Sequence, residues 1–413
     1  MSHSYWQIVW TQFKKNRLAV AGLFAAALFF AVALAAPFIA GRLPFYWLAA
    51  DGTLTFPFWR EFFAPVDTRE YLLDVAFNYL FLFTVWAGIC AVFFRRRHLL
   101  IGGTLLLLPF IFTSSRNQPQ NYYLAAEQHA GRGLFPLTPY GPYEQGMFRP
   151  KTPPSWSHAV TSHSVTSHSA TSPAVTSSAA TDGAATGERY SYLGSDEVGR
   201  DVLARLAYGS RVSLTVGFIS VAIATAIGLL VGAIAGYCGG WVDILISRAI
   251  EILMCFPTFF LILTVIAFLD QRSILNIMLI IGLTGWTGTA LVIRGEIFKQ
   301  RSLDYVAAAR ALGASRARVV FRHILPNALA PVLVGISFSI AGAIAMESGL
   351  SFLGIGVASP TATWGELLLE GRDSPLPNWW LSIFPGLAIF AAMTAYNLIG
   401  EGLRDAMDPR LRK

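Results

Sequence analysis

Residues 303–326 read Leu-Asp-Tyr-Val-Ala-Ala-Ala-Arg-Ala-Leu-Gly-Ala-Ser-Arg-Ala-Arg-Val-Val-Phe-Arg-His-Ile-Leu-Pro, a basic stretch wedged between two long apolar runs. Ser302 stands where it can cap a short helix, Gly313 where it can end one, and Ser315 where it can cap the next. The spacing predicts two short helices meeting at a glycine corner. Arg310, Arg316, Arg318 and Arg322 stand among Val306, Ala307, Val319, Val320 and Phe321, so one face is basic and the other apolar. This is the make-up of a docking surface, with no catalytic set in it.

The runs on either side decide the class. Hydrophobic residues make up 54% of the 413 and charged residues only 13%, which excludes an ordinary soluble enzyme and predicts an all-α polytopic protein in a lipid bilayer. A spanning helix needs about 20 apolar residues. Runs at 18–40, 72–94, 98–115, 212–236, 244–268, 274–293, 328–346 and 380–400 give about eight. Lys14, Lys15 and Arg17 precede the first, which places the amino terminus in the cytoplasm, and no small-residue cleavage site follows, so a retained anchor is expected.

The run at 98–115 is the weakest, being short and holding Pro109, but parity supports it. The 294–322 loop carries Arg294, Lys299, Arg301, Arg310, Arg316, Arg318 and Arg322 against only Glu296 and Asp304, and dropping that run alone would place it outside. With the run kept, Arg95, Arg96 and Arg97 and the tail of Arg404, Arg410, Arg412 and Lys413 also fall inside. Both termini are then cytoplasmic. The net charge of +7 follows from this topology; the cations sit beside apolar runs, not in a stripe with interleaved aromatics, so nucleic acid is not an expected partner.

Three regions result: an anchor span plus a two-span hairpin at 1–115, an extracytoplasmic linker at 116–190, and a core at 191–413. Within the linker, residues 157–181 repeat a Ser-to-Thr unit every five residues. That period fits neither a helix face nor a strand face, and the composition offers little apolar surface against the entropy of ordering, so disorder is expected. His158, His163 and His168 have no carboxylate or cysteine beside them, and a tether is preferred to a metal site. Cys90, Cys238 and Cys255 imply no disulfide framework.

The stretch at 303–326 resembles the EAA loop of ABC importer permeases, which runs Glu-Ala-Ala, three residues, Gly, nine residues, Ile, any residue, Leu-Pro. Here the corresponding residues are Ala307-Ala308-Ala309 followed by Arg310, then Gly313, Arg316, His323 and Leu325-Pro326, with Ala307 in place of Glu and His323 in place of Ile. The His-Ile-Leu-Pro ending is similar to the peptide-importer branch. Leu193 to Leu214, Gly239-Gly240-Trp241-Val242-Asp243, Glu347 to Gly356 and Pro385 to Arg410 also resemble the dipeptide, oligopeptide and nickel permease family.

The resemblance implies a type I ABC importer transmembrane fold and a C-type permease subunit of the bacterial inner membrane. It implies that the 303–326 loop sits in a groove of a cytoplasmic ATPase, where losing the Glu at 307 removes one polar contact. The partners it implies are a second homologous permease, ATPase subunits and an extracytoplasmic solute-binding protein. ATP and Mg would be used by the ATPases, with no cofactor and no metal held by this chain. Peptides are the expected substrate, with nickel or opines as alternatives.

In the core, Asp196, Glu197, Arg200 and Asp201 are expected to pair with one another as surface ion pairs at the entry to the first helix. Gly228, Gly232 and Gly236 share one helix face and let a neighbouring backbone approach. Glu251 is an acid inside an apolar run, a candidate for the pathway or for an ion pair with Arg248, and Pro257 should bend that run locally. Glu347 is expected to end or break its helix. The chain has no Gly-Lys pair and so no phosphate loop, and no catalytic motif is present, which argues against ATP hydrolysis or other catalysis by this chain. The competing reading is a membrane scaffold or enzyme that uses the 303–326 loop only to dock a partner.

Overall fold

The computed structural model describes residues 5–63, 65, 70–93, 131–157, 190–269 and 273–408. Helices dominate, in the order α1 (Tyr5–Phe13), α2 (Arg17–Ile39), α3 (Pro57–Phe63), α4 (Tyr71–Phe93), α5 (Val202–Cys238), α6 (Gly240–Met254), α7 (Thr258–Ala267) and α8 (Ile274–Gln300). They continue with α9 (Asp304–Ala311), α10 (Arg316–Phe352, π-helical over Val319–Ile324), α11 (Trp364–Arg372) and α12 (Trp379–Met407). Among the described residues, five helices are long and apolar enough to cross a membrane, or six if the bent pair α6 and α7 is one span, and α4 adds a shorter apolar stretch at Tyr71–Ala87. Of the eight expected runs, 98–115 lies outside the described residues, as does the five-residue repeat beyond Ser157.

The parallel pair α5 and α8 organises the bundle. Gly228 approaches Thr289, Gly232 approaches Ala290 and Gly236 approaches Ile297, so both helices advance in the same direction. A methyl group at Gly232 would sit 2.5 Å from the Ala290 carbonyl oxygen, which is why only glycine allows this backbone contact. A parallel neighbour requires the chain between them to travel back along the bundle. α6 and α7 make that return, with an 80° bend at Cys255 to Pro257. The run at 244–268 is therefore not one straight span with a local kink, because Pro257 stands where the chain changes direction.

The main core gathers Leu214, Val216, Ile277, Ile340, Ile344, Trp364, Ile389 and Tyr396 from α5, α8, α10, α11 and α12, with Ala26 and Ala33 of α2 packed in. Asn16 starts α2 by accepting hydrogen bonds from the Leu18 and Ala19 amides. A small antiparallel sheet joins a hairpin that follows α2 to a strand that follows α4, with β1 (Tyr46–Ala49) between β2 (Leu54–Thr55) and β3 (Gly131–Leu134). Its registers include Trp47 opposite Thr55 and Gly133.

Residues 131–157 are thus ordered, although they fall inside the expected linker. Buried Tyr140 and Phe148 stack edge to face at 4.9 Å, and the Lys151 amide donates to the Asp196 carbonyl at 2.8 Å. The aromatic content before Ser157 supplies the apolar surface that the repeat lacks.

Candidate functional site

The segment after α8 folds as a helix, a left-handed corner and a second helix. Gly313 has φ +77°, its amide donates to the Arg310 carbonyl at 2.9 Å, and the Ala314 amide donates to the Ala309 carbonyl at 3.1 Å. These two bonds form a Schellman motif, which closes α9 and needs the left-handed residue. Ser315 caps α10 by accepting from the Arg318 amide at 3.4 Å. The expected Ser302 cap is corrected: Leu303 occupies the cap position without a side-chain bond, and the Ser302 hydroxyl donates back to the Lys299 carbonyl, closing the end of α8 instead.

This segment is mounted through its apolar face. Val306, Val319 and Ile324 are fully buried and pack with Ala309, Val320 and Ala328 against Ala233 of α5 and Ile293 and Ile297 of α8. Of the alanine triplet, Ala309 faces this core while Ala307 and Ala308 are exposed. Arg310 lies over the Tyr237 ring at 5.4 Å, and Arg301 donates to the Gly236 carbonyl at 3.1 Å, fastening the loop to the end of α5. Arg316, Arg318, Arg322, Leu312 and Phe321 remain exposed. His323 and Leu325 are half-buried where the turn of π-helix gives way to the regular helix, and Pro326 is exposed at that junction.

The opposite end of α5 holds a feature that sequence reading missed. Asp196 and Arg200 are buried, and Asp196 Oδ2 lies 2.5 Å from Arg200 Nε and 2.6 Å from Arg205 Nη1. Arg205 also reaches Glu370 at 2.7 Å and Glu366 at 2.5 Å, both on α11. The expected surface pairs are therefore a buried network, and two of the expected members stand apart from it. Glu197 pairs with Lys151 at 2.8 Å, and Asp201 caps α5 by accepting from the Ala204 amide. Burial tends to raise Asp196, but the Arg205 and Arg200 charges outweigh it and hold the carboxyl below its ordinary value. For Glu370 burial outweighs the same guanidiniums and pushes it up, and for Asp201 burial outweighs the hydrogen bonds from the Ala204 amide and the Ser191 hydroxyl and raises it to about 6.

Glu347 does not end its helix. α10 continues to Phe352, and the fully buried Glu347 accepts from Ser351 at 2.8 Å, Ser213 at 3.2 Å and Ser348 at 3.4 Å. Three serine hydroxyls are thus the donors that hold it inside the helix bundle. Glu251 is exposed and pairs with Arg248 three residues away, and Pro257 marks the bend.

A helical bundle with a basic loop mounted on two parallel helices narrows the class, and sequence comparison decides it. Residues 228–413 match the family of binding-protein-dependent transport system inner membrane components, and residues 4–51 match the N-terminal TM domain of oligopeptide transport permease C. The oligopeptide transport system permease protein OppC of Haemophilus influenzae is 40% identical over 54% of this chain and 72% of its own length. This chain belongs to that family of ABC importer permeases. The dipeptide transport system permease protein DppC of Bacillus subtilis is 37% identical over 54% of this chain and 69% of its own. The di/tripeptide permease DppC of Pseudomonas aeruginosa is 34% identical over 67% and 82%.

Inward-facing structures of the MetNI methionine ABC transporter align at a TM-score of 0.38 and 17% identity, over 48% of this chain and 95% of theirs, too distantly to place any helix. The protein is a multi-pass inner-membrane transport subunit, not an enzyme.

Proposed function

We propose that this chain forms half of a peptide pathway, paired with a second homologous permease, and that α9 and the start of α10 receive an ATPase subunit. The observation that carries this reading is the mounting of the exposed basic face: Val306, Val319 and Ile324 are fully buried against α5 and α8 while Arg316, Arg318 and Leu312 stay outside. In this reading the basic end of the bundle, with Lys14, Arg17 and the 303–326 loop, is cytoplasmic, as are both termini. A solute-binding protein delivers substrate at the opposite end. ATP and Mg are held by the ATPase subunits.

Movement of the docked helices passes to α5 and α8 because the loop shares their core, and alternating access follows as a rigid-body tilt. The relatives named for oligopeptide, dipeptide and di/tripeptide transport support peptides as the substrate. Affinity purification of the full chain, followed by sequencing of what co-purifies, tests the reading. A phosphate-loop ATPase is expected, lost from an Arg316→Glu, Arg318→Glu variant. A partner without a phosphate loop, or undiminished capture by that variant, overturns it.

A further inference from the structure

Lys14, Lys15 and Asn16 join α1 to α2, and the join is fixed by hydrogen bonds and packing. The Lys15 amide donates to the Gln12 carbonyl at 3.0 Å and the Asn16 amide to the Phe13 carbonyl at 3.1 Å. The apolar face of α1 is used up: Val9 and Phe13 are buried with Ala19 of α2 and Ala406 of α12, beside Leu403 and Met407. Gly402 permits this closeness, since a Cβ there would lie 2.1 Å from the Ala19 Cβ. α12 begins beside Val202, at the first turn of α5, so its other end, where α1 packs, belongs to the end of the bundle that carries the 303–326 loop.

What this junction presents outward is cationic. Lys14, Lys15 and Arg17 are all exposed, and none forms an ion pair among the described residues. Asp405 of α12 reaches the junction but accepts from the Asn16 side-chain amide at 3.2 Å. Lys14 Nζ stands 5.1 Å over the ring of Trp10, an exposed side chain that stacks on Phe13 at 5.7 Å. An indole beside ammonium groups suits the headgroup layer, where one part of the ring is in hydrocarbon and the other is wet.

The level of the bilayer agrees. α2 is long and apolar enough to cross a membrane and begins at Arg17, so the phosphate layer of that leaflet falls at the three cations. Beneath Arg17 on the same helix face come Ala21, Phe24 and Leu28, all exposed. Unpaired positive charge therefore stands directly over an apolar stripe, which is the complement of an anionic amphiphile.

We propose that the α1–α2 junction binds an anionic phospholipid, its phosphate held by Lys14, Lys15 and Arg17 and an acyl chain laid along Ala21, Phe24 and Leu28. A zwitterionic lipid brings its own ammonium group beside its phosphate and gains less from these cations. A soluble phosphate finds the cations but leaves the stripe unused.

The test purifies the full chain from detergent micelles holding equal amounts of dioleoylphosphatidylglycerol and dioleoylphosphatidylcholine, and quantifies the lipid that stays bound by mass spectrometry. Each Lys or Arg beside an anionic headgroup adds about fivefold in affinity, so phosphatidylglycerol is expected to be enriched by at least about tenfold. The Lys14→Gln, Lys15→Gln, Arg17→Gln triple variant should lose most of that enrichment, whereas Lys14→Arg, Lys15→Arg should keep it. Lys15→Gln alone serves if the triple variant fails to fold, with a loss of about fivefold. Arg316→Gln, Arg318→Gln, Arg322→Gln removes the same charge from the loop at this end of the bundle and is expected to leave the ratio unchanged. Equal retention of the two lipids would leave the cations to a protein partner and overturn the proposal. Displacement of the lipid by millimolar glycerol 3-phosphate, which would make a soluble phosphate the ligand, overturns it too, as does an equal loss of enrichment in the loop variant.

Discussion

Replacing Gly313 by valine tests whether the glycine corner transmits work. A Cβ at this position would meet nothing within 4 Å, so the cost is confined to the backbone, held at φ +77°. An L-residue in that region is strained by about 1–2 kcal/mol. Escape to negative φ sacrifices the bonds from Gly313 to Arg310 and from Ala314 to Ala309, each worth about 0.5–1.5 kcal/mol. The two penalties are of similar size, so the valine corner should populate an opened form substantially, while the buried Val306, Val319 and Ile324 keep both flanks in place.

In proteoliposomes containing the complete importer, peptide taken up per ATP hydrolysed should then fall by about tenfold, the equivalent of about 1.4 kcal/mol. ATP hydrolysis itself should persist. Asparagine enters the left-handed region far more readily than valine, so Gly313→Asn should recover most of the loss. Wild-type stoichiometry in the valine variant would refute the reasoning, and so would an asparagine variant as defective as the valine one.

Arg205→Met removes the hub of the network and leaves Glu366 without its guanidinium in a buried site; breaking a buried pair costs about 3–5 kcal/mol, so the melting temperature in detergent should drop clearly, and Glu366→Gln in the same chain should restore part of it. An unchanged melting temperature in Arg205→Met contradicts the assigned burial. Asp201 is raised from 3.8 to about 6, so the folded state holds this proton more tightly than the unfolded state, and stability should fall as pH rises from about 4 to about 6 and then level off. The shift corresponds to about 3 kcal/mol; Asp201→Asn keeps an oxygen for the Ala204 amide and should flatten that pH dependence in melting experiments, and an identical profile would exclude Asp201 as its source.

The readable parts of this chain are those whose cause is local. Long apolar runs announce helices because the bilayer demands them, and the Gly313 corner announces itself because the left-handed residue and the Ser315 cap lie within a few positions of the bonds they enable. Ser302 shows the limit of local reading, since its hydroxyl could serve the helix before or the helix after, and it serves α8. The bend at Pro257 was legible as a position but not as an 80° turn, because its size follows from the parallel packing of α5 on α8. Arg205 and Glu366 lie 161 positions apart, and no local pattern pairs them. The one available signal was Asp74, an acid in the first turn of the apolar α4, where an unpaired charge is costly enough to predict a partner such as Arg211.

α5 connects the two ends that these features occupy. From Arg205 to Gly236 it extends about 47 Å at 1.5 Å per residue, with the loop-bearing core at one end and the Arg205 network at the other. Along its length Gly228, Gly232 and Gly236 lock it to α8 at backbone contact, where sliding would drive carbonyls into one another. In the proposed coupling, a push on α9 is therefore carried as a tilt of the α5 and α8 pair and not absorbed by side-chain rearrangement. At the far end, Arg205 bonds at 2.5–2.7 Å to Asp196 before the helix and to Glu366 and Glu370 on α11, a geometry that tolerates little displacement before buried charges separate. α11 must then either travel with α5 or part from it in one step. In the coupling proposed above, the buried ionic cluster would act as a two-position latch at the end of the bundle away from the 303–326 loop.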